Sequence, residues 1–195
     1  MGPCILLKTH RTELVEKNSR FIGIGCHSQS LIEFKQHKDA LEKEFPDANH
    51  IVFAYRIYDH DSLHIRFSDA GEPSGTAGKP VLMHMEGNSL VNVTLFVVRY
   101  FGGTKLGAGG LVKAYGNTAR QLITEASWGP YIVYKELWLA LPYSETNRLE
   151  YLARKFGVEI LERDFSESVR VRIRIADDNA AEFKAAVPSS WTVQA

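Results

Sequence analysis

A short segment rich in glycine and proline, residues 68–80 (SDAGEPSGTAGKP), restricts the fold more than any other part of the chain. Three glycines and two prolines within thirteen residues exclude a regular helix or a central strand, because proline donates no amide hydrogen and glycine weakens both structures. Glycine allows positive φ angles and proline stiffens the backbone, so we expect a polar loop of defined shape. Loops of this kind often carry binding sites.

The composition is that of an ordinary globular protein. The 195 residues suffice for one large or two small domains, and 45% are hydrophobic and 24% charged. No apolar run approaches the ~20 residues of a membrane span, and the N-terminus lacks the apolar core of a signal peptide. The two cysteines, Cys4 and Cys26, lack the spacing of metal ligands. We therefore predict a cytoplasmic protein with reduced thiols, no metal and no cofactor.

Charge is unevenly distributed along a neutral chain. Lysine and arginine total 23, as do aspartate and glutamate, which argues against a general polyanion binder. Residues 87–124, however, contain Arg99, Lys105, Lys113 and Arg120 and no acidic residue. This segment predicts a local basic surface.

Hydrophobic periodicity predicts alternating strands and helices in the first two thirds of the chain. We expect strands at residues 20–26, 51–58, 63–67 and 93–100, with a hairpin turn at 59–62. Ser30 and Glu33 have the spacing of a capping box, so a helix should begin there and end before Pro46. Pro80 is expected at the first position of a short helix over residues 81–86. The inner face of a later, longer helix should contain Leu111, Ala114, Tyr115, Ala119 and Leu122.

The segment Trp128-Gly129-Pro130 is the predicted domain boundary, which divides the chain into domains 1–130 and 131–195. In the second domain, we expect a strand at 134–141, a helix at 144–156 capped by Ser144, a hairpin at 158–164 and 168–175, a helix at 178–186 and a last strand at 191–193. This order is typical of a ferredoxin-like domain. The predicted class is α+β with two domains.

A second glycine-rich loop, residues 101–110, lies between a buried strand and the long helix. Free amides and the helix dipole favour anions at such a position. The loop has neither the Lys-Ser/Thr of a P-loop nor a G-x-G-x-x-G pattern. The alternative is that its glycines only allow tight packing of strand against helix. The candidate residues for binding an anion or RNA are Arg99, Gly102, Gly103, Thr104, Lys105, Gly107, Gly109, Gly110 and Lys113.

The first glycine loop supplies a second candidate group of polar residues. Asp69 and Glu72 suggest acid–base chemistry or a metal, and a serine with Lys79 suggests a Ser–Lys pair. The alternative, which we favour, is a rigid turn whose side chains satisfy its own amides. His50, at a strand start, is expected to hydrogen bond locally. The candidate polar site comprises His50, Arg56, Asp69, Glu72, Ser74, Thr76 and Lys79, and no residue is predicted to be catalytic.

Arg170, Arg172 and Arg174 alternate with apolar residues, so all three should lie on one face of a strand. Such a stripe can follow phosphates. Pairing with acidic residues of the neighbouring strand, such as Glu159 or Glu162, is the alternative that we favour.

Several motifs together resemble the YigZ/IMPACT family: Ser19-Arg20-Phe21, His50 with Ala54-Tyr55-Arg56, residues 69–80, and residues 97–107 (VVRYFGGTKLG). They occur in order over residues 15–127. The C-terminal part resembles the small second domain of bacterial members of this family. Ile51 and Ala70 depart from the pattern, which has a second histidine and a commonly acidic residue at these positions.

The resemblance implies a first domain similar to the ribosomal protein S5 domain 2-like fold and a pair that resembles domains IV and V of elongation factor G. Eukaryotic IMPACT relatives restrain the starvation-response kinase of translation initiation by competing for its activator. They lack this C-terminal unit, so that partner does not transfer directly. The family provides no established catalytic residues.

Three hypotheses follow from the residues and the resemblance. The leading one is a non-catalytic translation factor that binds RNA or the ribosome through the basic glycine-rich segment. The second is an enzyme that acts on a small phosphorylated or nucleotide ligand, with Asp69, Glu72, Thr76 and Lys105 around a pocket. The third is a protein–protein regulator of a stress-response pathway, which requires an exposed apolar patch.

Overall fold

The chain folds into two units that meet in sequence at residues 131 and 132. In the computed structural model, which describes residues 2–59, 62–165 and 168–194, the units are Met1–Tyr131 and Ile132–Ala195. The boundary predicted from the sequence, between residues 130 and 131, lies one residue before the boundary between these units. Both units combine helices with antiparallel sheets, which confirms the α+β class. Within the described ranges, no helix has the length and apolar character needed to cross a membrane.

The N-terminal unit contains a five-stranded antiparallel sheet with the order β2-β3-β6-β4-β5, and a separate pair, β1 and β7. The strands are β1 Cys4–Leu6, β2 His10–Glu16, β3 Ser19–His27, β4 His50–Asp59, β5 Ser62–Ser68, β6 Val93–Tyr100 and β7 Trp128–Pro130. The helices are α1 Leu31–Glu44, α2 Gly78–Gly87 and α3 Gly107–Glu125.

The inner strands of the large sheet, β3, β6 and β4, are buried on both faces. Val52 and Ala54 of β4 pack with residues of α2 and α3 in one core, whereas Phe53, Tyr55 and Ile57 pack with Leu41 of α1 in another. Alternate residues of a strand point to opposite faces, so a strand covered on both sides must be apolar almost throughout. This explains the continuous apolar run of β6. The predicted inner face of α3 is confirmed, since all five of its residues are buried.

The predicted capping box is confirmed in part at the start of α1, because Ser30 caps the helix but Glu33 reaches the amide of Gln29 instead of that of Ser30. The Glu33 amide donates to Ser30 Oγ at 3.2 Å, and the Glu33 carboxylate accepts from the Gln29 amide at 2.8 Å. The sequence did not indicate β1, β2 or β7, because their polar and very short segments lack a clear period. The predicted turn at 59–62 includes His60 and Asp61, which lie outside the described residues.

The predicted start of the second helix is wrong. Helix α2 begins at Gly78, three residues before the expected position, and Pro80 is its third residue. The cap comes from a distant side chain: Asp69 Oδ1 accepts the amides of Ala77 and Gly78 at 3.0 and 2.8 Å. The prediction that residues 68–80 contain no helix is therefore wrong for residues 78–80, which form the start of α2.

The C-terminal unit has four antiparallel strands in the order β11-β8-β10-β9. Its elements are β8 Tyr134–Leu141, α4 Thr146–Phe156, β9 Glu159–Phe165, β10 Val169–Ala176, α5 Asp177–Ala186 and β11 Thr192–Gln194. One face of the sheet packs with both helices in a single core. The prediction that Ser144 caps this helix is wrong. Ser144 lies inside a 3-10 turn, Tyr143–Glu145, that precedes α4.

The two cysteines of the N-terminal unit should differ sharply in reactivity. Burial raises the pKa of the Cys26 thiol to about 11, whereas Cys4 is half-buried on the short strand β1. Because the thiolate is the nucleophile, we expect a disulfide reagent at about pH 8 to modify one thiol per native chain and two after denaturation. A Cys4→Ser variant should be unreactive when native. Fast reaction of that variant would contradict the burial of Cys26.

Candidate functional site

The first glycine loop is held in shape by its own polar side chains. The Asp69 carboxylate accepts three backbone amides, from Gly75, Ala77 and Gly78, at 2.8, 3.0 and 2.8 Å. The Thr76 hydroxyl donates to the carbonyl of Pro73 at 2.6 Å. These contacts confirm the rigid turn that satisfies its own amides. Asp69 acts as a structural acceptor here, so an acid–base role for it is not supported.

Glu72 connects this loop to the strand and the helix on either side of the second glycine loop. Its Oε1 accepts from Arg99 Nη1 at 2.5 Å and from the Tyr115 hydroxyl at 2.8 Å. All three residues are buried. Burial, and then the Glu72 carboxylate, raise the pKa of the Tyr115 hydroxyl far above its usual range, so the hydroxyl remains a donor. We call Glu72, Arg99 and Tyr115 the buried clip.

The prediction that Arg99 contacts an external anion is wrong. The residue is only 5% exposed and its guanidinium lies close to two aromatic rings, 5.4 Å from the centroid of Phe21 and 5.7 Å from that of Phe101. Its charge is neutralised inside the protein by Glu72. Three of the four cations in residues 87–124 therefore remain at the surface: Lys105, Lys113 and Arg120.

His50 makes the local contacts expected of it. Its Nδ1 lies 2.9 Å from the carbonyl oxygen of Ala70 and donates to it, and its Nε2 lies 3.8 Å from Glu72 Oε1. A half-buried Arg56 similarly donates to the carbonyl of Leu90 at 2.9 Å. Among the residues that the structure describes, no group of three histidine, cysteine or acidic side chains is arranged to hold a metal ion.

Most of the candidate polar site is therefore internal. His50, Arg56, Asp69 and Glu72 bind other parts of the protein, and Thr76 is buried. Ser74 and Lys79 are exposed. The pocket expected for an enzyme, with Asp69, Glu72 and Thr76 facing a ligand, is not formed by these side chains.

Gly102 in the second glycine loop serves tight packing. A Cβ at this position would lie 2.0 Å from the carbonyl carbon of Asn18 and 2.4 Å from the amide nitrogen of Ser19. The Gly102 amide donates to Ser19 Oγ at 3.2 Å. At this end of the loop, glycine therefore serves to allow close packing, and the Gly102 amide is already bound within the protein.

The other end of the loop is open to solvent. Gly103, Thr104, Lys105, Gly107 and Gly109 are exposed. Helix α3 begins at Gly107 without a side-chain cap and without an acidic residue in its first turn. Its first amides have no partner within the helix. Gly110 is half-buried, and Lys113 is exposed one turn further along.

The arginine stripe of β10 is mostly neutralised. Arg172 binds Glu136 of β8 with contacts of 2.9 and 2.6 Å, and Arg174 binds Glu159 of β9 with contacts of 3.0 and 2.5 Å. Cross-strand pairing, the favoured alternative, is thus confirmed for two of the three residues. Within the described ranges, Arg170 makes no ion pair.

Sequence reasoning missed the contacts that organise the site. Tyr115 was expected only as an apolar core residue, whereas its hydroxyl binds a buried carboxylate. Ser19 was noted only as part of the Ser19-Arg20-Phe21 motif, and Asn49 was not singled out. They accept the amides of Gly102 and Phe101 at 3.2 and 2.7 Å, respectively. The available signal was that Ser19 and Asn49 are polar residues beside predicted strands, whereas Tyr115 lies on the predicted long helix.

Comparison with known proteins identifies both units. The Impact N-terminal domain matches residues 17–123, and a domain of unknown function, DUF1949, matches residues 139–189. The IMPACT family member YigZ of Escherichia coli is 35% identical over 170 residues, which cover 87% of this chain and 83% of YigZ. The IMPACT family member YvyE of Bacillus subtilis is 30% identical over 93% of this chain and 81% of its own.

Among solved structures, the crystal structure of a hypothetical protein is 32% identical, with a TM-score of 0.69, and covers 98% of this chain and 96% of its own. Two family domains in this order, together with relatives of similar length, account for nearly the whole chain. The protein belongs to the IMPACT family, as a YigZ-like member that combines an Impact N-terminal domain with DUF1949.

Proposed function

We propose that the protein is a non-catalytic, translation-associated regulator that binds RNA, on the ribosome or free, through the exposed start of α3. The binding surface comprises the side chains of Thr104, Lys105, Lys113 and Arg120 and the amides of Gly107 and Gly109. We call these residues the α3 surface.

The observation that carries this proposal is the exposed and acid-free start of α3. The helix begins at Gly107 with no cap from a side chain, and Lys105 and Lys113 lie exposed on either side of that point. Arg120 follows Lys113 by seven residues, which places both on one face of the helix. Free amides, the helix dipole and three cations together suit a phosphate backbone.

Two fold assignments belong to this proposal. We assign the N-terminal unit to the ribosomal protein S5 domain 2-like fold and the C-terminal unit to the ferredoxin-like fold. The strand order β11-β8-β10-β9, with helices after the first and third strands, supports the second assignment. The likeness to domains IV and V of elongation factor G that the sequence resemblance implies supports a role at the ribosome.

Co-sedimentation with ribosomes tests the proposal. Reversing two charges in a Lys105→Glu/Lys113→Glu variant should weaken binding about tenfold or more and lower the salt dependence by about two counterions, measured between about 50 and about 200 mM salt. The matched control is Lys8→Glu/Lys43→Glu, which changes the net charge equally at two exposed positions outside the α3 surface. Equal pelleting of both variants, or no pelleting of the wild type at low salt, would refute the proposal.

A further inference from the structure

Among the described elements of the C-terminal unit, none packs on one face of the sheet. Helices α4 and α5 pack on the opposite face, and strand register places open-face residues side by side. Arg170 of β10 stands between Ala140 of β8 and Asp164 of β9. Thr192 of β11 lies on the other side of Ala140. These four residues form a row across all four strands, and Ala140, on an inner strand, is the smallest of them.

A neighbouring row supplies taller side chains. Trp138 of β8 stands beside Gln194 of β11 on one side and Arg172 of β10 on the other, and Glu162 follows on β9. The short Ala140 next to the large Trp138 creates a concavity of about 510 Å³, which Glu162, Asp164, Arg170, Thr192 and Gln194 also line. Trp138 is 39% exposed, so part of its indole is open to solvent.

The charges in this concavity differ from those elsewhere on the same face. Arg172 and Arg174 are neutralised by Glu136 and Glu159. Within residues 132–165 and 168–194, neither Arg170 nor the carboxylates of Glu162 and Asp164 take part in an ion pair. Arg170 stands opposite Asp164, and Glu162 stands opposite Arg172, on which its charge acts. The concavity thus offers one cation, two carboxylates and an aromatic surface, and none of these charges is held in a close ion pair among these residues.

We propose that this concavity binds a guanine base of single-stranded RNA. The base stacks on Trp138, its N1–H and N2–H donors face Asp164 and Glu162, and the adjoining phosphate lies at Arg170. A flat ring fits an open sheet and an exposed indole, and unpaired bases are read through stacking and their Watson–Crick edges. Guanine presents two neighbouring donors on that edge, which suits carboxylates. This inference rests on the proposed RNA-binding function and adds a separate contact on the other unit.

The carboxylates also restrict what can bind. Two negative groups beside Arg170 repel a continuous phosphate backbone, so duplex RNA is disfavoured on this face. A base can approach because its donors compensate the desolvation of the carboxylates. Specificity for an unpaired guanine therefore follows from the same residues that weaken general polyanion binding.

Fluorescence anisotropy with labelled RNA hexamers tests the inference on the full chain. We expect the wild type to bind a guanosine-containing single strand more tightly than a uridine-only strand, the corresponding duplex or free GMP. Trp138→Ala should weaken binding of the guanosine strand about tenfold, since stacking on one aromatic residue contributes on this scale. Arg170→Ala provides a second variant with a smaller structural change, and Asp164→Asn should reduce the preference for guanosine.

Two control variants lie on the helical side of the same unit. Tyr151→Ala removes an exposed aromatic ring from α4, and Arg148→Ala removes an exposed cation. Both should bind the guanosine strand as the wild type does. Unchanged binding by Trp138→Ala and Arg170→Ala would overturn the inference, as would equal affinity for uridine-only or duplex RNA. If Lys105→Glu/Lys113→Glu weakens binding and the Trp138 and Arg170 variants do not, this inference fails while the proposed function stands. If the Trp138 and Arg170 variants weaken binding and Lys105→Glu/Lys113→Glu does not, the α3 surface is refuted as the RNA-binding site.

Discussion

Replacing Arg99 by methionine should destabilise the N-terminal unit by about 3–5 kcal/mol, because it leaves the Glu72 carboxylate buried without its counterion. The Tyr115 hydroxyl would still donate to Glu72, but one neutral hydrogen bond does not replace a buried cation. His50 Nε2, at 3.8 Å, is too distant to form a hydrogen bond. The substitution also removes the contacts of the guanidinium with the rings of Phe21 and Phe101.

The free energy of unfolding in urea measures this effect, and a double-mutant cycle separates it from loss of packing. Glu72→Leu should destabilise by a similar amount, since it leaves the Arg99 charge buried. The Glu72→Leu/Arg99→Met double variant should be more stable than the sum of the two losses implies, because no uncompensated charge remains. If neither single variant folds, folding of the double variant still supports the clip. Additive losses would contradict it.

An exposed ion pair in the same sheet provides the control for charge removal. Arg20 and Glu13 lie 2.9 Å apart, with side chains that are 51% and 46% exposed. Water solvates both groups after either is removed, so Glu13→Gln should leave the free energy of unfolding almost unchanged. A large loss there would mean that burial does not explain the Arg99 effect.

Two glycine-to-alanine substitutions, one in the second glycine loop and one in the first turn of α3, should change the free energy of unfolding in opposite directions. Gly102→Ala should destabilise by about 3 kcal/mol or more, because its Cβ would overlap the backbone of residues 18 and 19 and the turn between β2 and β3 would have to move. Gly109→Ala should stabilise by about 0.5–1 kcal/mol, because alanine favours the helix and, among the described residues outside the adjacent helix backbone, no atom lies within 4 Å of the added Cβ.

Urea unfolding of both variants, with the ribosome assay in parallel, checks this pair. Gly109→Ala keeps its amide, so its binding should match that of the wild type while its stability rises. A Gly102→Ala protein as stable as the wild type would contradict the close contact with Asn18. Loss of stability in Gly109→Ala would show that the start of α3 is not a relaxed, exposed helix.

The secondary structure was largely predictable because its signals are local. Alternation along β4, the apolar run of β6 and the Ser30–Glu33 capping box all depend on neighbouring residues, and the structure has each of them. The start of α2 was not predictable, because its cap comes from Asp69, nine residues before Gly78. The strand β2 was missed because its exposed polar residues carry no hydrophobic period.

The fate of each charged residue depends on contacts that are distant in sequence. Arg99 and Lys105 belong to one basic, acid-free segment, yet Arg99 is buried against Glu72 and Lys105 is exposed. Local sequence cannot distinguish them, since the difference arises from a loop 27 residues away. The same holds on β10, where glutamates of two other strands neutralise Arg172 and Arg174 but not Arg170.

Local pattern and composition suffice to identify the two α+β units, the two glycine loops and the family, because turn residues, hydrophobic periods and motifs are read along the chain. Tertiary structure alone decides which members of those loops face solvent. The 68–80 loop, the most conspicuous segment of the sequence, turns most of its polar groups inward to satisfy amides and a buried arginine. Burial makes an unpartnered polar group costly, and its partners are found only in three dimensions.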